Sequence, residues 1–282
     1  MDVATQSQPA PAWEPARPPR PKDERPRWRR LLAPLGAIGL VIAKLAAKLK
    51  TLLILLPKLK LLSTSGSMLV SIGAYSLIWG WRFAVGLVLL LLVHEMGHVI
   101  QLRREGIKAS APMFVPFLGA LVAMRELPKD AAAEARVGLA GPVLGSVGAL
   151  GALGLYAVSG NELFKALAFF GFFLNLFNLL PVLPLDGGRA MAALSPWMWF
   201  AGFALLIGAT IAFPNPIMLL ILVFGGMETW RRWQARRSPD AREFHRVRPL
   251  TRAAVATVYL GLAAALALGM HTTHVVRNFG DV

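Results

Sequence analysis

Cysteine is absent from the 282 residues, and charged residues are scarce, at 16% of the chain. The lack of cysteine excludes disulfide frameworks, thiol nucleophiles and cysteine-ligated zinc. The lack of charge, with 56% apolar residues, excludes an ordinary soluble domain, which is about 25% charged and 45–50% apolar. Acidic residues are half as numerous as basic ones, 15 against 30. A net charge of +15 would suit a nucleic-acid binder, but the positive mean hydropathy of +0.56 favours a membrane protein, so we predict no nucleic-acid partner.

The first 62 residues differ in composition from the rest of the chain. Residues 1–30 hold seven of the 20 prolines and seven Lys or Arg residues, with almost no aliphatic side chains. Such a segment buries too little apolar surface to offset its ordering entropy, so we expect a disordered, Pro/Arg-rich cytoplasmic arm. In residues 31–62, lysines recur among leucines, which is typical of a basic amphipathic helix bound to anionic lipid headgroups at the membrane surface. A tilted helix that spans the membrane is the competing interpretation of this segment.

Seven apolar runs after residue 60 predict an all-α, polytopic membrane protein with about seven transmembrane helices. We place these spans at about residues 61–80, 82–102, 135–158, 162–182, 189–212, 214–230 and 252–270. Basic loops stay in the cytoplasm, which puts residues 103–108 and the eight arginines of residues 231–252 on that side. The N-terminus is then also cytoplasmic. The predicted organisation is a core at 63–230, a basic cytoplasmic loop at 231–251, a C-terminal transmembrane helix at 252–270 and a short tail at 271–282.

The second predicted span contains the sequence His-Glu-x-x-His, at His94, Glu95 and His98. Residues four apart share one face of a helix, so both imidazoles can reach a single zinc ion. Glu95 can then exchange a proton with a water at the metal. Ionisable side chains inside a span are costly and are usually functional. A hydrogen-bonded structural cluster is the alternative, but the other three histidines fall outside the predicted spans.

A catalytic zinc site normally needs a third protein ligand, and Asp186 is the candidate. It is the only acid between Glu162 and Glu228, and it lies beside two prolines and two glycines at the end of the fourth predicted span. These residues break the helix, which is tolerated at membrane depth only where protein or a water-filled cavity satisfies the freed backbone groups. A plain interfacial turn is the alternative interpretation.

At this pair of motifs the sequence resembles the site-2 protease family of intramembrane zinc metalloproteases. The family pattern is a His-Glu-x-x-His helix followed two spans later by Asn-x-x-Pro-x-x-Pro-x-Asp-Gly. This chain matches it at residues 94–98 and then at Asn178, Pro181, Pro184, Asp186 and Gly187. Residues 116–120 and 140–145 also look like family segments, so the resemblance covers roughly residues 65–230.

The resemblance implies a role for each matched residue. His94, His98 and Asp186 would bind one catalytic Zn²⁺, Glu95 would act as general acid/base, and Asn178 would position the substrate backbone or the developing oxyanion. The family also implies a short re-entrant β-hairpin near the active site, within residues 106–134, where an ordinary loop is the alternative. The implied activity is hydrolysis of membrane-anchored substrate proteins within or next to the bilayer, as in regulated intramembrane proteolysis, at a site toward the cytoplasm.

Other functions give different expectations. A zinc or divalent-metal transporter could use the His-Glu-x-x-His helix as an ion site, but its pathway should show further His, Asp or Glu in neighbouring spans. Another class of membrane metalloprotease would take a downstream glutamate as third ligand, and Glu162 and Glu228 are less well placed for this than Asp186. An inactive relative would have lost a ligand or Glu95. Small residues three or four apart from Gly138 to Gly154 predict close helix packing rather than a phosphate-binding loop.

Overall fold

The computed structural model describes residues 64–124, 126–195, 197–212 and 216–274. Within these ranges the chain forms nine helices and one two-stranded hairpin. The elements in chain order are α1 (Thr64–Trp79), α2 (Trp81–Arg104), β1 (Met113–Val115), β2 (Gly119–Leu121), α3 (Ala131–Ser159), α4 (Glu162–Asn178), α5 (Asp186–Leu194), α6 (Met198–Ala212), α7 (Pro216–Ala235), α8 (Pro239–Phe244) and α9 (Pro249–Thr273). The predicted arm at 1–30 and the predicted interfacial helix at 31–62 lie outside the described residues, as does the tail after residue 274.

Three helices, α2, α3 and α9, are long and apolar enough to cross a bilayer. They correspond to the second, third and seventh predicted spans. Helices α1 and α4 have 16 and 17 residues, fewer than the roughly 20 that a transmembrane helix needs. Helix α7 has 20 residues but carries Glu228, Arg231 and Arg232 in its C-terminal half. The count of seven spans is therefore not confirmed by the lengths and compositions of these helices.

The fifth predicted span, residues 189–212, is wrong as a single helix. The structure divides it into α5, which ends at Leu194, and α6, which begins at Met198. Ser195 is extended, with φ −163° and ψ 128°, because a residue that precedes a proline is disfavoured in the helical conformation. Helix α5 also begins earlier than predicted, so that Asp186 opens its first turn.

The segment predicted as a basic loop, residues 231–251, is largely helical. Helix α7 continues to Ala235, α8 follows after three residues, and α9 already begins at Pro249. Helix α8 starts where the Ala241 N–H donates to Ser238 Oγ at 3.2 Å and Pro239 occupies the first turn. A serine cap and a proline at this position both favour a helix start. The prediction rested on charge density, which indicates solvent exposure rather than backbone conformation.

Helix α3 packs against α2, α4 and α5, and small residues allow the close approach. A side chain added at Gly97 of α2 would collide with the backbone of Ala140, and one added at Gly145 of α3 would collide with Asn175 of α4. The predicted packing role of the glycine series is confirmed at such positions. It does not extend to Gly151 and Gly154, where an added side-chain carbon would meet no atom of another described element within 4 Å.

The hairpin that the resemblance implied is present between α2 and α3. Strands β1 and β2 are antiparallel, with Phe114 opposite Ala120, and an isolated bridge from Ala109 to Met124 extends the pairing. Helix α1 holds the hairpin: the Phe114 N–H donates to Ser67 Oγ and the Phe117 N–H to Tyr75 Oη, each at 3.1 Å. Its position relative to the bilayer stays a prediction.

The turn between α4 and α5, residues 179–185, is enclosed by helices. Leu179, Val182 and Leu183 are at most 2% exposed. The Tyr259 hydroxyl of α9 donates to the Leu179 carbonyl, and Gly202 of α6 lies against the Pro181 backbone. The predicted helix break is confirmed, and its enclosure fixes the direction in which α5 starts.

Candidate metal centre

The side chains of His94, His98 and Asp186 meet between α2 and α5. His94 Nε2 lies 3.1 Å from Asp186 Oδ2, His98 Nε2 lies 3.2 Å from the same oxygen, and the two Nε2 atoms are 3.2 Å apart. Their side chains are only 6%, 11% and 13% exposed. One helical turn separates the two histidines, so α2 presents both on one face, and the start of α5 brings the carboxylate to them.

The other ring nitrogen of each histidine faces an oxygen that accepts a hydrogen bond. His98 Nδ1 lies 2.8 Å from the Val137 carbonyl oxygen, and His94 Nδ1 lies 2.8 Å from Asn175 Oδ1. The Asn175 amide nitrogen donates to the Gly171 carbonyl at 2.7 Å, which directs its oxygen toward His94. In the neutral imidazoles each Nδ1 therefore carries the proton, and each Nε2 presents a lone pair.

Two bare nitrogens and a carboxylate oxygen this close together repel one another unless a cation lies among them. A tetrahedral zinc ion with nitrogen and oxygen ligands at about 2.0–2.1 Å holds those ligands about 3.3 Å apart, close to the observed separations of 3.1–3.2 Å. Two imidazoles and one carboxylate are also a ligand set of catalytic zinc sites, which keep a fourth position open. Metal-ligating histidines usually donate from the second ring nitrogen, as both do here. The residues therefore fit a zinc ion.

Helix α3 forms one wall of the centre through its backbone. It supplies the Val137 carbonyl, and a side chain at Gly141 would collide with both imidazoles. A side chain at Gly138 would collide with the Asp186 backbone. The first half of the glycine series therefore has a second use, because it leaves room for the ligands.

Glu95 follows His94 directly and is 7% exposed. Its carboxylate forms no hydrogen bond with the residues that the structure describes, and it is close enough to His94 and Asp186 to interact with both electrostatically. A buried carboxylate without a fixed partner is available to exchange a proton with a water at the centre.

Asn178 and Asn175 occupy successive turns of α4. Asn178 is the last residue of the helix and is half-buried. Its amide makes no hydrogen bond to the three candidate ligands, so its positioning role stays a prediction. Asn175 was missed from the sequence, although an amide within an apolar span was a usable signal.

The two glutamates considered as alternative ligands lie elsewhere. Glu228 accepts hydrogen bonds from Arg231 and Arg232, and Glu162 is exposed in the first turn of α4. Across the described part of the chain, His94, His98 and Asp186 are the one group of three His, Cys, Asp or Glu side chains that could hold a metal ion.

Comparison with known proteins agrees with this centre. The model of peptidase family M50 matches residues 82–161, which include His94, Glu95 and His98. A zinc metalloprotease of Methanocaldococcus jannaschii, MJ0392, is 28% identical over 163 residues, which is 55% of this chain and 46% of that protein. Rip3 of Mycobacterium tuberculosis, whose name provisionally assigns it to the zinc metalloproteases, is 29% identical over 171 residues, or 56% of this chain and 42% of that protein.

The matched regions span less than half the length of either relative. The family match contains the His-Glu-x-x-His motif and ends before Asp186. Together, the family match over residues 82–161 and the likeness to the two relatives support the site-2 protease family of zinc metalloproteases for this chain.

Proposed function

We propose that this chain is an intramembrane zinc endopeptidase that hydrolyses peptide bonds of membrane-anchored proteins. The observation that supports this most is the geometry of the centre. Two imidazole nitrogens and one carboxylate oxygen converge at 3.1–3.2 Å. The buried carboxylate of Glu95, which forms no hydrogen bond with the described residues, lies on the helix of the two histidines.

The chemistry divides between the metal and the chain. A bound zinc ion makes water acidic enough to lose a proton near neutral pH and polarises the scissile carbonyl. His94, His98 and Asp186 would hold that ion. Glu95 would accept the proton of the attacking water and deliver it to the leaving amine. Asn178, at the end of α4, would position the substrate backbone or the developing oxyanion.

A helical substrate has to unwind before water can reach its carbonyl group, and the hairpin offers a way to hold the unwound chain. A two-stranded sheet leaves unpaired backbone groups along its edges, to which an extended peptide can add by main-chain hydrogen bonds. Strand β2 contacts α2, the helix of the histidines. The substrate would therefore bind as an added strand beside the centre.

The proposed location is the membrane, with the centre toward the cytoplasm. Helices α2, α3 and α9 are apolar enough to span. The two candidate histidine ligands lie in the second half of α2, nearer to Arg103 and Arg104 than to its start. The positive-inside rule puts that end in the cytoplasm. Basic segments on that side would also attract anionic lipid headgroups.

A metal transporter would need a series of ligand groups along its path. Among the described residues there is no second group of three candidate ligands, so a peptidase is the better interpretation. Zinc flux into sealed vesicles that contain the purified protein would contradict it.

The deciding experiment compares the wild-type protein with Glu95→Gln. We expect the variant to retain bound zinc, because Glu95 is not a ligand, and to lose cleavage by about 10²- to 10⁴-fold, because general acid/base catalysis contributes that much. Fragments of membrane proteins released in cells, measured by mass spectrometry, would report cleavage. Glu162→Gln, an exposed change of the same kind, is the control and should leave the fragment pattern intact. Wild-type fragment release by a zinc-loaded Glu95→Gln protein would contradict the assignment.

A further inference from the structure

A cavity lies beside the turn of residues 179–185, which precedes Asp186. It has a volume of about 520 Å³ and is enclosed by Pro184 of the turn, by α5 and by the C-terminal half of α7. Three arginines, Arg189, Arg231 and Arg232, contribute to its wall, with Glu228 as the one acid. Cations are therefore in excess at the wall of a cavity next to the candidate metal centre.

Two of the three arginines already have carboxylate partners. Arg231 donates to both oxygens of Glu228 at 2.9 Å. Arg232 donates to Glu228 at 3.0 Å and, from its other two nitrogens, to Glu134 of α3 at 2.8 and 2.9 Å. The side chain of Glu134 is only 5% exposed. Arg232 therefore joins α7 to α3, whereas Arg231 pairs within α7, and the two glutamates balance the charges of the two arginines.

Arg189 differs from both of them. Its guanidinium makes one side-chain contact, from Nη1 to the Met124 sulfur at 3.6 Å, and a thioether is a weak acceptor. The described residues place no carboxylate within ion-pair distance of it. The residue is half-buried, and a guanidinium has five N–H donors. Most of its hydrogen-bonding capacity is therefore unused inside a partly enclosed cavity.

The position of Arg189 connects the cavity to the centre. It lies three residues after Asp186, about one turn along α5, and its charge is close enough to Glu95 and His98 to interact with both. Met124 belongs to the bridge that extends the β1–β2 hairpin. A peptide that reached the centre along the hairpin would pass within reach of this guanidinium.

We propose that Arg189 is the anion-binding residue of a substrate subsite, where it binds the carboxylate of an acidic side chain close to the scissile bond. The inference rests on the proposed function in so far as the ligand is a peptide. Planar, bidentate pairing with a carboxylate is the interaction for which a guanidinium is best suited. Arg231 and Arg232 hold their acids in the same way in the wall of the same cavity. An anionic lipid phosphate offers similar chemistry, and the experiment separates the two sources.

The test measures binding to the Glu95→Gln protein, which holds a peptide without cutting it. The probes are labelled peptides of about 20 apolar residues, long enough to cross the bilayer once. They are made in pairs, one with Glu and the other with its isostere Gln at the same position. Successive pairs carry this substitution at successive positions along the peptide. The protein is held in bilayers of zwitterionic lipid only. At the position that faces the subsite we expect the Glu peptide to bind about 10- to 100-fold more tightly than the Gln peptide, as hydrogen bonds to charged groups do.

Variants assign that preference to one residue. Adding Arg189→Gln should abolish the preference, and Arg189→Glu should reverse it in favour of a Lys peptide. Arg231→Gln, the same change at a paired arginine of the same cavity, should retain it. Since Arg189 is close to a metal ligand, zinc content is measured for each variant. If Arg189→Gln fails to fold, Arg189→Lys should keep a weakened preference for the Glu peptide, because lysine retains the positive charge but cannot pair with a carboxylate through two parallel N–H groups. A preference that survives Arg189→Gln overturns the proposal.

Two further outcomes separate the subsite from the activity. If wild-type protein cleaves the peptides but does not distinguish Glu from Gln at any position, the subsite is wrong and the peptidase stands. If Glu peptides bind more tightly but wild-type protein releases no fragments, the subsite stands and the peptidase does not. Bilayers with phosphatidylglycerol provide the lipid arm. If phosphatidylglycerol competes with peptide binding, and no preference for the Glu peptide is seen in bilayers without it, Arg189 binds a lipid headgroup and the peptide subsite is overturned.

Discussion

The two histidines of α2 differ in what holds their Nδ1 atoms. A backbone carbonyl, that of Val137, holds His98, whereas a side chain, that of Asn175, holds His94. Substitution can therefore remove only the second interaction. We expect Asn175→Ala to weaken zinc binding by about 10- to 100-fold, because the imidazole loses the partner that fixes its tautomer and orientation. Competition with a chromophoric chelator would measure the change.

Two companion variants sharpen this prediction. Asn175→Asp keeps an oxygen toward His94, exchanges the amide donor to Gly171 for a second oxygen and adds a negative charge. Because a carboxylate is a common partner of a metal-ligating histidine, this variant should recover most of the affinity. Asn178→Ala, one turn along α4, should leave zinc affinity unchanged and lower the rate of cleavage if Asn178 positions the substrate. Equal zinc affinities in the wild-type protein and Asn175→Ala would contradict the orienting role.

At the residue scale, short-range spacing was the reliable guide. His94, Glu95 and His98 lie within one turn, so their common face follows from helix geometry alone. Asp186 is 92 residues away from His94, and its place depended on the chemical need for a third ligand and on the resemblance. Val137 contributes only a backbone carbonyl, which leaves no pattern in the sequence. The amide of Asn175 within an apolar run indicated a buried polar contact, but the partner of that contact follows only from the packing of α4 against α2.

At the scale of elements, α5 is the helix that decides the geometry of the centre. It has only nine residues, and isolated helices of that length are not stable in water. Its C-terminal carbonyls are held from the α8–α9 region: His245 Nδ1 lies 3.1 Å from the Ala192 oxygen, and Arg252 Nε donates to the Ala193 oxygen at 3.2 Å. The ligand helix is thus held at its far end by residues of the C-terminal segment.

We expect Arg252→Ala to lower the free energy of unfolding by about 1 kcal/mol, since a hydrogen bond to a charged group contributes about 1.5–3 kcal/mol and this arginine is exposed. Thermal unfolding of the purified protein in detergent would show the change as a lower Tm. Arg246→Ala is the matched control. Its side chain is 81% exposed and its contact with Glu243 is long, at 3.7 Å, so its loss should have little effect on stability. Identical shifts for both variants would show that charge removal, not the contact to α5, is responsible.

Elements were predicted well where one physical constraint dominated. Long apolar runs correctly predicted α2, α3 and α9, and the prolines and glycines near Asp186 correctly predicted the helix break before it. The division of residues 189–212 was missed because its apolar composition outweighed the proline at 196. The hairpin came from the resemblance, since strands of three residues are too short to show a reliable alternation.

At the scale of the whole molecule, the number of crossings decides which side of the membrane each segment faces. With seven crossings, residues near 159 lie outside, residues 231–251 lie in the cytoplasm and residue 271 lies outside. If only α2, α3 and α9 cross, residues 231–251 remain on the same side as residue 159, and residue 271 lies in the cytoplasm. In both arrangements residue 108, which follows the basic end of α2, is cytoplasmic. Positions 240 and 271 therefore face opposite sides in the two arrangements and distinguish them. Positions 108 and 159 face the same side in both and serve as controls.

The absence of cysteine allows a direct test, because any introduced cysteine is the one thiol of the chain. The changes Lys108→Cys, Ser159→Cys, Asp240→Cys and His271→Cys all fall at exposed positions. We expect a membrane-impermeant maleimide added to intact cells to label positions 159 and 271, and to label 108 and 240 only after permeabilisation. The eight arginines of residues 231–252 are the physical reason, since so dense a positive charge resists transfer across the membrane. Labelling of position 240 in intact cells, with position 271 protected, would contradict seven crossings. It would show that an even number of helices crosses the bilayer between residues 159 and 240, as in the arrangement with three crossings, and the basic segment would lie outside despite its charge.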